Sequence, residues 1–372
     1  MNGVPEYRTH IASEILGTTN REFKQYFKYY DQLVVPDDDV HVVQVQQPEP
    51  GDLTPITHAD VLEAIRVIRG DPTRTLVESS KELHRKLEAK HSRTRVRSVV
   101  LLATRVMFMF DPAISETYGP DYTIGSYKPA SWHSIQSLHG FMLECFPRAS
   151  LSSERARQAL ADGRSIKAWK LKTRSGIIFK GTDNLAQHLL LDRSNRVLYL
   201  FHHTSFLKAQ LRRFQSLHSN QEEDPLQSLK RGSLPPRLLA ETLHSLQSIL
   251  FQWRDPRSIK ILKRLVKKKG FDEDCTWDEG NTTFKDSSHN DEYFYWGCRL
   301  VELHDFAKDR RPRNRFERWI KWQTSESNAF AIALAALIIS VAVGLLSLAL
   351  SAFQAWIAWK AWKDSVNMGN EP

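Results

Sequence analysis

The stretch Ala329–Trp359 reads AFAIALAALIISVAVGLLSLALSAFQAWIAW and carries no formal charge. A helix rises about 1.5 Å per residue, so about 20 apolar residues cross the hydrocarbon core of a bilayer. This stretch is longer, and no charge or Pro-Gly pair divides it. The pattern therefore predicts one transmembrane helix rather than a membrane hairpin or a buried core helix. The chain before it has the composition of a soluble protein.

Residues on both sides of this stretch predict how it sits in a membrane. Tryptophan favours the headgroup region, and one pair, Trp319 with Trp322, precedes the run while another, Trp356 with Trp359, lies at its end. The upstream side is also basic, with Arg311, Arg313, Arg315, Arg318 and Lys321 close to the helix, whereas only Lys360 and Lys363 follow it. Because Lys and Arg favour the cytosolic side, we expect a cytosolic head that contacts anionic lipids and a short tail on the opposite side.

Small residues recur along one side of the predicted membrane helix. They are Ala336, Ser340, Gly344, Ser347 and Ser351, at spacings of three and four residues. In lipid, small side chains allow two helix backbones to approach closely. This stripe predicts pairing with a second membrane helix, either in another copy of the chain or in a different protein.

The chain of 372 residues divides into five predicted segments. An acidic, loosely ordered N-terminal segment (1–54) is followed by a mainly helical head (55–307) with a small β element at about 165–201. A basic juxtamembrane segment (308–328), the transmembrane helix (329–359) and a short tail (360–372) complete it. The predicted fold class is mainly α with a small β element, plus one C-terminal transmembrane helix.

Local patterns predict several elements of the head. Thr57, with Asp60 three residues later, is typical of a helix start. Helices are also expected over about 75–110 and 132–146, the first with a buried arginine, Arg105, that needs a carboxylate partner. Alternation at 166–172 and the run 197–201 predict strands, and Asp183 is expected to cap a short helix over 184–190.

Charge and cysteine content limit the classes of partner and compartment. The formal net charge is +9, but no nucleic-acid-binding motif accompanies it, so no nucleic-acid partner is expected. Three widely spaced cysteines fit a reducing compartment and no disulfide framework. The sequon at Asn281 is a glycosylation site only if the head is lumenal. An endomembrane location such as the endoplasmic reticulum is expected.

No catalytic motif stands out in the sequence. Nucleophile elbows, zinc-protease helices and phosphate-binding glycine loops are all missing from it. If the chain is an enzyme, the first residues to test are Asp183, His188 and His202, beside the β element. The histidines lack the spacing of a metal site, so no metal and no cofactor are expected.

Two segments, GTDNLAQHL at 181–189 and YFYWGCRLVEL at 293–303, carry a resemblance to known proteins. Together they resemble a group of uncharacterised filamentous-fungal proteins in which a soluble head precedes a C-terminal membrane helix. The resemblance covers about residues 95–360 and implies a setting in fungal metabolism but no activity. CorA-type magnesium channels share a helical head before membrane helices, but their Gly-Met-Asn motif is replaced here by Met368-Gly369-Asn370 and no second span follows.

These observations favour a non-catalytic, membrane-anchored protein whose cytosolic head binds or positions partner proteins. The alternatives are a membrane-tethered enzyme acting on a lipophilic substrate and a divergent CorA-like channel. The missing catalytic motifs weigh against the first alternative, and the single span weighs against the second.

Overall fold

A computed structural model describes residues 6–18, 23–34, 56–87, 91–119, 121–125, 127–148, 165–216, 223–276, 293–309 and 329–368. The chain forms two compact units, Met1–Asp309, called the head below, and Arg310–Pro372. Residues 35–55 of the acidic N-terminal segment and its linker, and the juxtamembrane segment, lie outside the described residues.

The described helices and strands follow one another in this order: α1 (Glu6–Ile11), α2 (Lys24–Val34), α3 (His58–Gly70), α4 (Leu76–Lys86), α5 (Arg93–Phe108), α6 (Ile114–Tyr118), α7 (Leu138–Cys145), α8 (Ala168–Arg174), β1 (Ile178–Thr182), β2 (Leu190–Asp192), β3 (Val197–Phe201), α9 (Thr204–Ser216), α10 (Pro225–Lys230), α11 (Pro236–His244), α12 (Pro256–Lys269), α13 (Gly297–Lys308) and α14 (Ala329–Met368). Short π-helical turns follow α1 and α11. The predicted fold class, mainly helical with a small sheet and a long apolar C-terminal helix, is confirmed.

The core of the head is built around α5, which packs against both α3 and α4. Ten of its residues are buried, and most of them are aliphatic or aromatic. Arg105 lies on this helix, and its Nη1 is 3.5 Å from Asp111 Oδ2, the carboxylate partner that the sequence required. Helix α3 begins at the predicted Thr57, whose side chain accepts a hydrogen bond from the Asp60 N–H.

The β element is a three-stranded sheet with the order β1-β3-β2. β1 and β3 run parallel, with Thr182 opposite Phe201, and β2 pairs antiparallel to β3. The predicted strand at 197–201 is confirmed as β3. Because β1 and β3 are parallel and in register, the residues that follow them leave the sheet at the same edge.

Two predictions near the sheet are wrong. Residues 166–172 were expected to form a strand, but Ala168–Arg174 is helix α8. Its buried Ala168 and Leu171 are three residues apart, which is helical spacing, and the short alternation also fitted a strand. Asp183 does not cap a helix: Asn184 caps a 3₁₀ turn at Leu185–Gln187, and the chain then enters β2.

Two predicted helix boundaries also differ from the structure. The region expected as one long helix over 75–110 contains two helices, α4 and α5, with Ser92 capping the second. The helix expected from Trp132 starts only at Leu138. Ser137 is its N-cap and accepts from the Gly140 N–H, while residues 133–136 form a turn. The serine cap at Ser137 therefore sets this boundary.

The N-terminal segment was expected to be loosely ordered, yet part of it supplies side chains to the core. Tyr26 and Tyr30 of α2 are fully buried, and the Tyr26 hydroxyl donates to the Val106 carbonyl in α5. The aromatic residues of this segment therefore fix α2 against the central helix.

The unit Arg310–Pro372 is described only from Ala329 to Met368, all of it in α14. Among the described residues, Ala336–Trp362 is the one stretch of helix that is long and apolar enough to cross a membrane, and no part of it is buried within the protein. The helix continues past Trp359, where the sequence predicted its end.

Candidate functional site

The carboxyl ends of β1 and β3 bring three polar side chains together. Asp183 directly follows β1, and His202 with His203 directly follows β3. Since the two strands are parallel with Thr182 opposite Phe201, these residues emerge side by side. The carboxyl edge of parallel strands is a common place for ligand sites in proteins. We call Asp183, His202 and His203 the β-edge cluster.

The three side chains of the β-edge cluster contact one another, and both histidines approach the same oxygen of Asp183. His203 Nε2 lies 2.6 Å from Asp183 Oδ1, and His202 Nε2 lies 3.4 Å from the same oxygen. The two imidazole rings stack, with centroids 4.3 Å apart. The Asp183 side chain is 49% exposed, whereas that of His203 is only 1% exposed. The cluster is therefore open to solvent on the carboxylate side and closed on the imidazole side.

The imidazole of His202 packs against the ring of Phe271. Its ring stacks on Phe271 with centroids 5.0 Å apart. Gly181 makes this arrangement possible, because a Cβ atom there would lie 2.8 Å from His202 Cδ2 and 2.9 Å from Phe271 Cε1. The His202 carbonyl also accepts from Cys275 Sγ at 3.2 Å and from the Thr204 N–H at 2.9 Å. Both the ring and the backbone of His202 are thus fixed.

Asp272 anchors the chain immediately after the histidines. Its Oδ2 accepts from the Ser205 N–H at 2.8 Å and from the Ser205 hydroxyl. Its Oδ1 accepts from the Asp274 N–H. The segment after α12 is therefore tied to the first turn of α9, and this tie supports the position of His203 two residues earlier.

The charge state of the β-edge cluster follows from burial and hydrogen bonding. Burial opposes ionisation of Asp183, but hydrogen bonds and charge from His202 and His203 outweigh it and hold the pKa of Asp183 well below its ordinary value. Burial, together with the charge of His202, lowers the pKa of His203 in spite of Asp183. Near neutral pH the cluster therefore combines an ionised carboxylate with a neutral His203 imidazole that donates to it.

Tyr29 extends the polar surroundings of the cluster toward α5. Its ring centroid is 5.8 Å from that of His203, and its hydroxyl accepts from Arg105 Nε at 3.1 Å. Burial is the main cause of a raised pKa for this phenol. Arg105, which pairs with Asp111, therefore contacts the Tyr29 side chain that packs beside His203.

His188, a third candidate from the sequence, does not join the β-edge cluster. It is fully buried, with Nδ1 accepting from the Phe201 N–H at 3.2 Å and Nε2 lying 2.7 Å from Ser245 Oγ. Because Nδ1 is an acceptor, Nε2 carries the proton and donates to Ser245. Burial, and then the charge of Arg299, lower the pKa of His188 to about 3. This residue links β3 to the turn after α11 and acts in the core.

Sequence reasoning selected Asp183 and His202 but not His203. His203 stood next to a selected residue, and both Asp183 and the His202–His203 pair directly follow segments with strand patterns. Polar residues directly after two predicted strands were the sequence signal that could have identified His203 as part of the site. The parallel pairing of the strands, which places a residue 20 positions away beside His203, could not be read from spacing.

Most residues predicted to contact the membrane lie outside the described residues: Arg311, Arg313, Arg315, Arg318, Lys321, Trp319 and Trp322, together with the sequon at Asn281. Trp356 and Trp359 are exposed on α14. The small residues of the stripe, Ala336, Ser340, Gly344, Ser347 and Ser351, are also exposed on this helix, and Ser340 Oγ donates to the Ala336 carbonyl. Pairing through the stripe stays a prediction.

Comparison with known proteins returned no matching family model, no matching curated protein and no matching solved structure.

Proposed function

We propose that this chain is a single-pass membrane protein whose cytosolic head binds or positions partner proteins, at the endoplasmic reticulum or another endomembrane. The observation that carries the proposal is α14, in which the long apolar side chains are exposed over the whole of Ala336–Trp362. Such a surface is unfavourable in water and is matched by the hydrocarbon core of a bilayer.

The orientation rests on the charges that flank the helix. Six basic residues lie within 20 positions upstream of Ala329 and only two lie shortly after Trp359. An excess of Lys and Arg favours the cytosolic side, and the same residues favour anionic lipids by about 1 kcal/mol each. A head that precedes such a helix fits a tail-anchored topology.

The proposed role in partner binding rests on three exposed apolar residues on adjoining elements of the head: Val77, Ile135 and Leu143. Ile135 is 88% exposed, and the other two are each 40% exposed. Ile135 lies in the turn before α7, where the neighbouring Ser134 carbonyl accepts from the Val77 N–H. Gln136, on its other side, donates to Glu144 of α7. Contiguous exposed apolar surface marks protein contact sites, and we infer that these three residues contribute to one such surface.

Glycosylation mapping tests the topology. A sequon is appended after Pro372, and the chain is expressed in cells with an endoplasmic reticulum. Sugar at the appended site and none at Asn281 is the expected result. Sugar at Asn281 would place the head in the lumen and reject the proposed orientation.

Photo-crosslinking tests the partner role. A photoreactive amino acid replaces Ile135 in one variant and Ile178, another exposed isoleucine at 62% exposure, in the matched control. A discrete protein adduct from position 135 and none from position 178 is expected in intact membranes. No adduct from either position, or the same adduct from both, would reject Ile135 as part of a partner surface.

A membrane-tethered enzyme acting on a lipophilic substrate is the second candidate, because the β-edge cluster combines an ionised carboxylate with two imidazoles at a solvent-open edge. Asp183→Asn and His202→Gln test it against the exposed His133→Gln as a control. Altered lipid-extract composition in the two cluster variants alone would support catalysis. Identical extracts from all equally abundant variants would remove this candidate.

A further inference from the structure

We propose that the β-edge cluster binds one divalent transition-metal ion of the Zn²⁺ type, with Asp183, His202 and His203 as its protein ligands. The inference concerns ion binding and does not depend on membrane attachment or on catalysis.

The separations between the candidate ligand atoms fit a metal site. One ligand atom from each of the three residues can be chosen so that all lie within 4.8 Å of one another. Asp183 Oδ1 is 2.6 Å from His203 Nε2 and 3.4 Å from His202 Nε2. Ligands bound to tetrahedral Zn²⁺ at about 2.0–2.1 Å are themselves about 3.3 Å apart. The observed distances lie on either side of this value. Rotation of the half-exposed Asp183 side chain would lengthen the shorter distance, from Asp183 Oδ1 to His203 Nε2.

The residue types indicate the class of ion. Two imidazole nitrogens and one carboxylate oxygen suit Zn²⁺, Co²⁺ or Fe²⁺, whereas Mg²⁺ and Ca²⁺ prefer oxygen ligands throughout. Three protein ligands leave at least one coordination position, and the exposed side of Asp183 gives water access to it.

Hydrogen bonding within the head explains these histidines less well than it explains His188. Both nitrogens of His188 have partners. By contrast, the buried Nδ1 atoms of His202 and His203 have none in the part of the chain that the structure describes. Two stacked, buried imidazoles that both direct Nε2 at one carboxylate oxygen are thus incompletely satisfied by the protein alone. In the ion-free cluster His203 Nε2 carries the proton that it donates to Asp183. A cation at Nε2 requires the tautomer with that proton on Nδ1, which leaves the Nε2 lone pairs and the Asp183 carboxylate for the ion.

The surrounding residues hold the ligands in place before any ion arrives. Phe271 and Gly181 confine the His202 ring, and Cys275 holds its carbonyl. Pre-positioned ligands reduce the conformational freedom that ion binding would otherwise remove.

Binding is measured on the full chain in mild detergent after treatment with a chelator. Titration calorimetry with Zn²⁺ gives stoichiometry and affinity, and Co²⁺ gives a visible absorption spectrum that reports its coordination. One equivalent of ion is expected to bind. Asp183→Asn and His203→Gln are expected to lower the affinity at least tenfold, whereas the exposed control His133→Gln leaves it unchanged.

The variants separate loss of a ligand from loss of folding. Asp183 is half-exposed, so Asp183→Asn is expected to keep the circular dichroism spectrum of the parent protein while losing the ion. Gly181→Ala keeps all three ligands but crowds His202 and is also expected to weaken binding. The absence of saturable binding to the parent chain, or equal affinity in parent and folded Asp183→Asn, would overturn the proposal.

Discussion

The buried carboxylate of Glu241 accepts several hydrogen bonds at once. Its carboxylate accepts from the N–H groups of Phe294, Tyr295 and Trp296 at 2.8–3.2 Å. It also lies 3.3 Å from Arg237 Nε. Burial raises its pKa despite these bonds. A single side chain of α11 thus orients the YFYW segment that leads into α13.

We expect Glu241→Ala to lower the free energy of unfolding of the head by about 3–5 kcal/mol, because it leaves three N–H groups without their acceptor and removes the buried carboxylate that pairs with Arg237. Urea unfolding of the full chain in detergent measures this. Glu302→Ala is the matched control: Glu302 pairs with Arg193 at the surface, so its loss is expected to cost about 1 kcal/mol or less. Equal losses in the two variants would contradict the role given to Glu241.

His188 predicts how the stability of the head depends on pH. Its pKa in the folded protein is about 3, below the ordinary value of 6.5, because burial and Arg299 disfavour the charged ring. The folded state therefore binds fewer protons than the unfolded state between these values. The stabilisation is present above pH 6.5 and is lost as pH falls toward 3, by roughly 4–5 kcal/mol in total.

Urea unfolding at several pH values between 7.5 and 4 measures this loss. His188→Gln, which cannot be protonated, is expected to be less stable at pH 7.5 but to lose less stability on acidification. His133→Gln, at an exposed position, is expected to keep the parent slope. A parent-like slope in His188→Gln would assign the acid sensitivity to other groups.

At the scale of elements, helix caps explain which helix boundaries were predicted correctly from the sequence and which were not. Thr57 begins α3 as predicted, since its hydroxyl accepts from the Asp60 N–H and Asp60 accepts from the Thr57 N–H. We expect Thr57→Ala to lower the free energy of unfolding by about 1 kcal/mol through loss of this cap. The control is Thr173→Ala, which replaces an exposed threonine inside α8 with a better helix former.

Thermal unfolding measures both threonine variants, and the control is expected to match or slightly exceed the parent in stability. If Thr57→Ala is as stable as Thr173→Ala, the reciprocal bonds at the start of α3 contribute nothing measurable.

The elements that sequence analysis placed correctly are those with a local cause. The cap at Thr57 and the charge-free run of α14 are each visible in one continuous stretch of sequence. Residues 166–172 were misassigned because a short segment fits both strand and helical periods. The β-edge cluster was identified only in part, because the parallel pairing of β1 with β3 depends on the packing of the whole head.

At the scale of the whole molecule, α14 is the element on which the proposed location depends. Its apolar run has no charge that would oppose insertion, and Leu345 with Leu346 lies near its middle. An arginine at the centre of a membrane helix costs about 2.5–3.5 kcal/mol on insertion scales. We therefore expect Leu345→Arg combined with Leu346→Arg to shift the protein from the carbonate-resistant membrane fraction to the soluble or aggregated fraction.

The same two charges placed beyond the apolar run make a matched control. Ser365→Arg combined with Val366→Arg adds two charges after Trp362, where side chains reach the interface, so membrane retention is expected to persist. Retention of both variants would indicate that the chain is held by protein contacts or by its basic segment rather than by a spanning helix. Release of the central variant alone would indicate that α14 spans the hydrocarbon core. Only in that position does the cost of a charge depend on its depth along the helix.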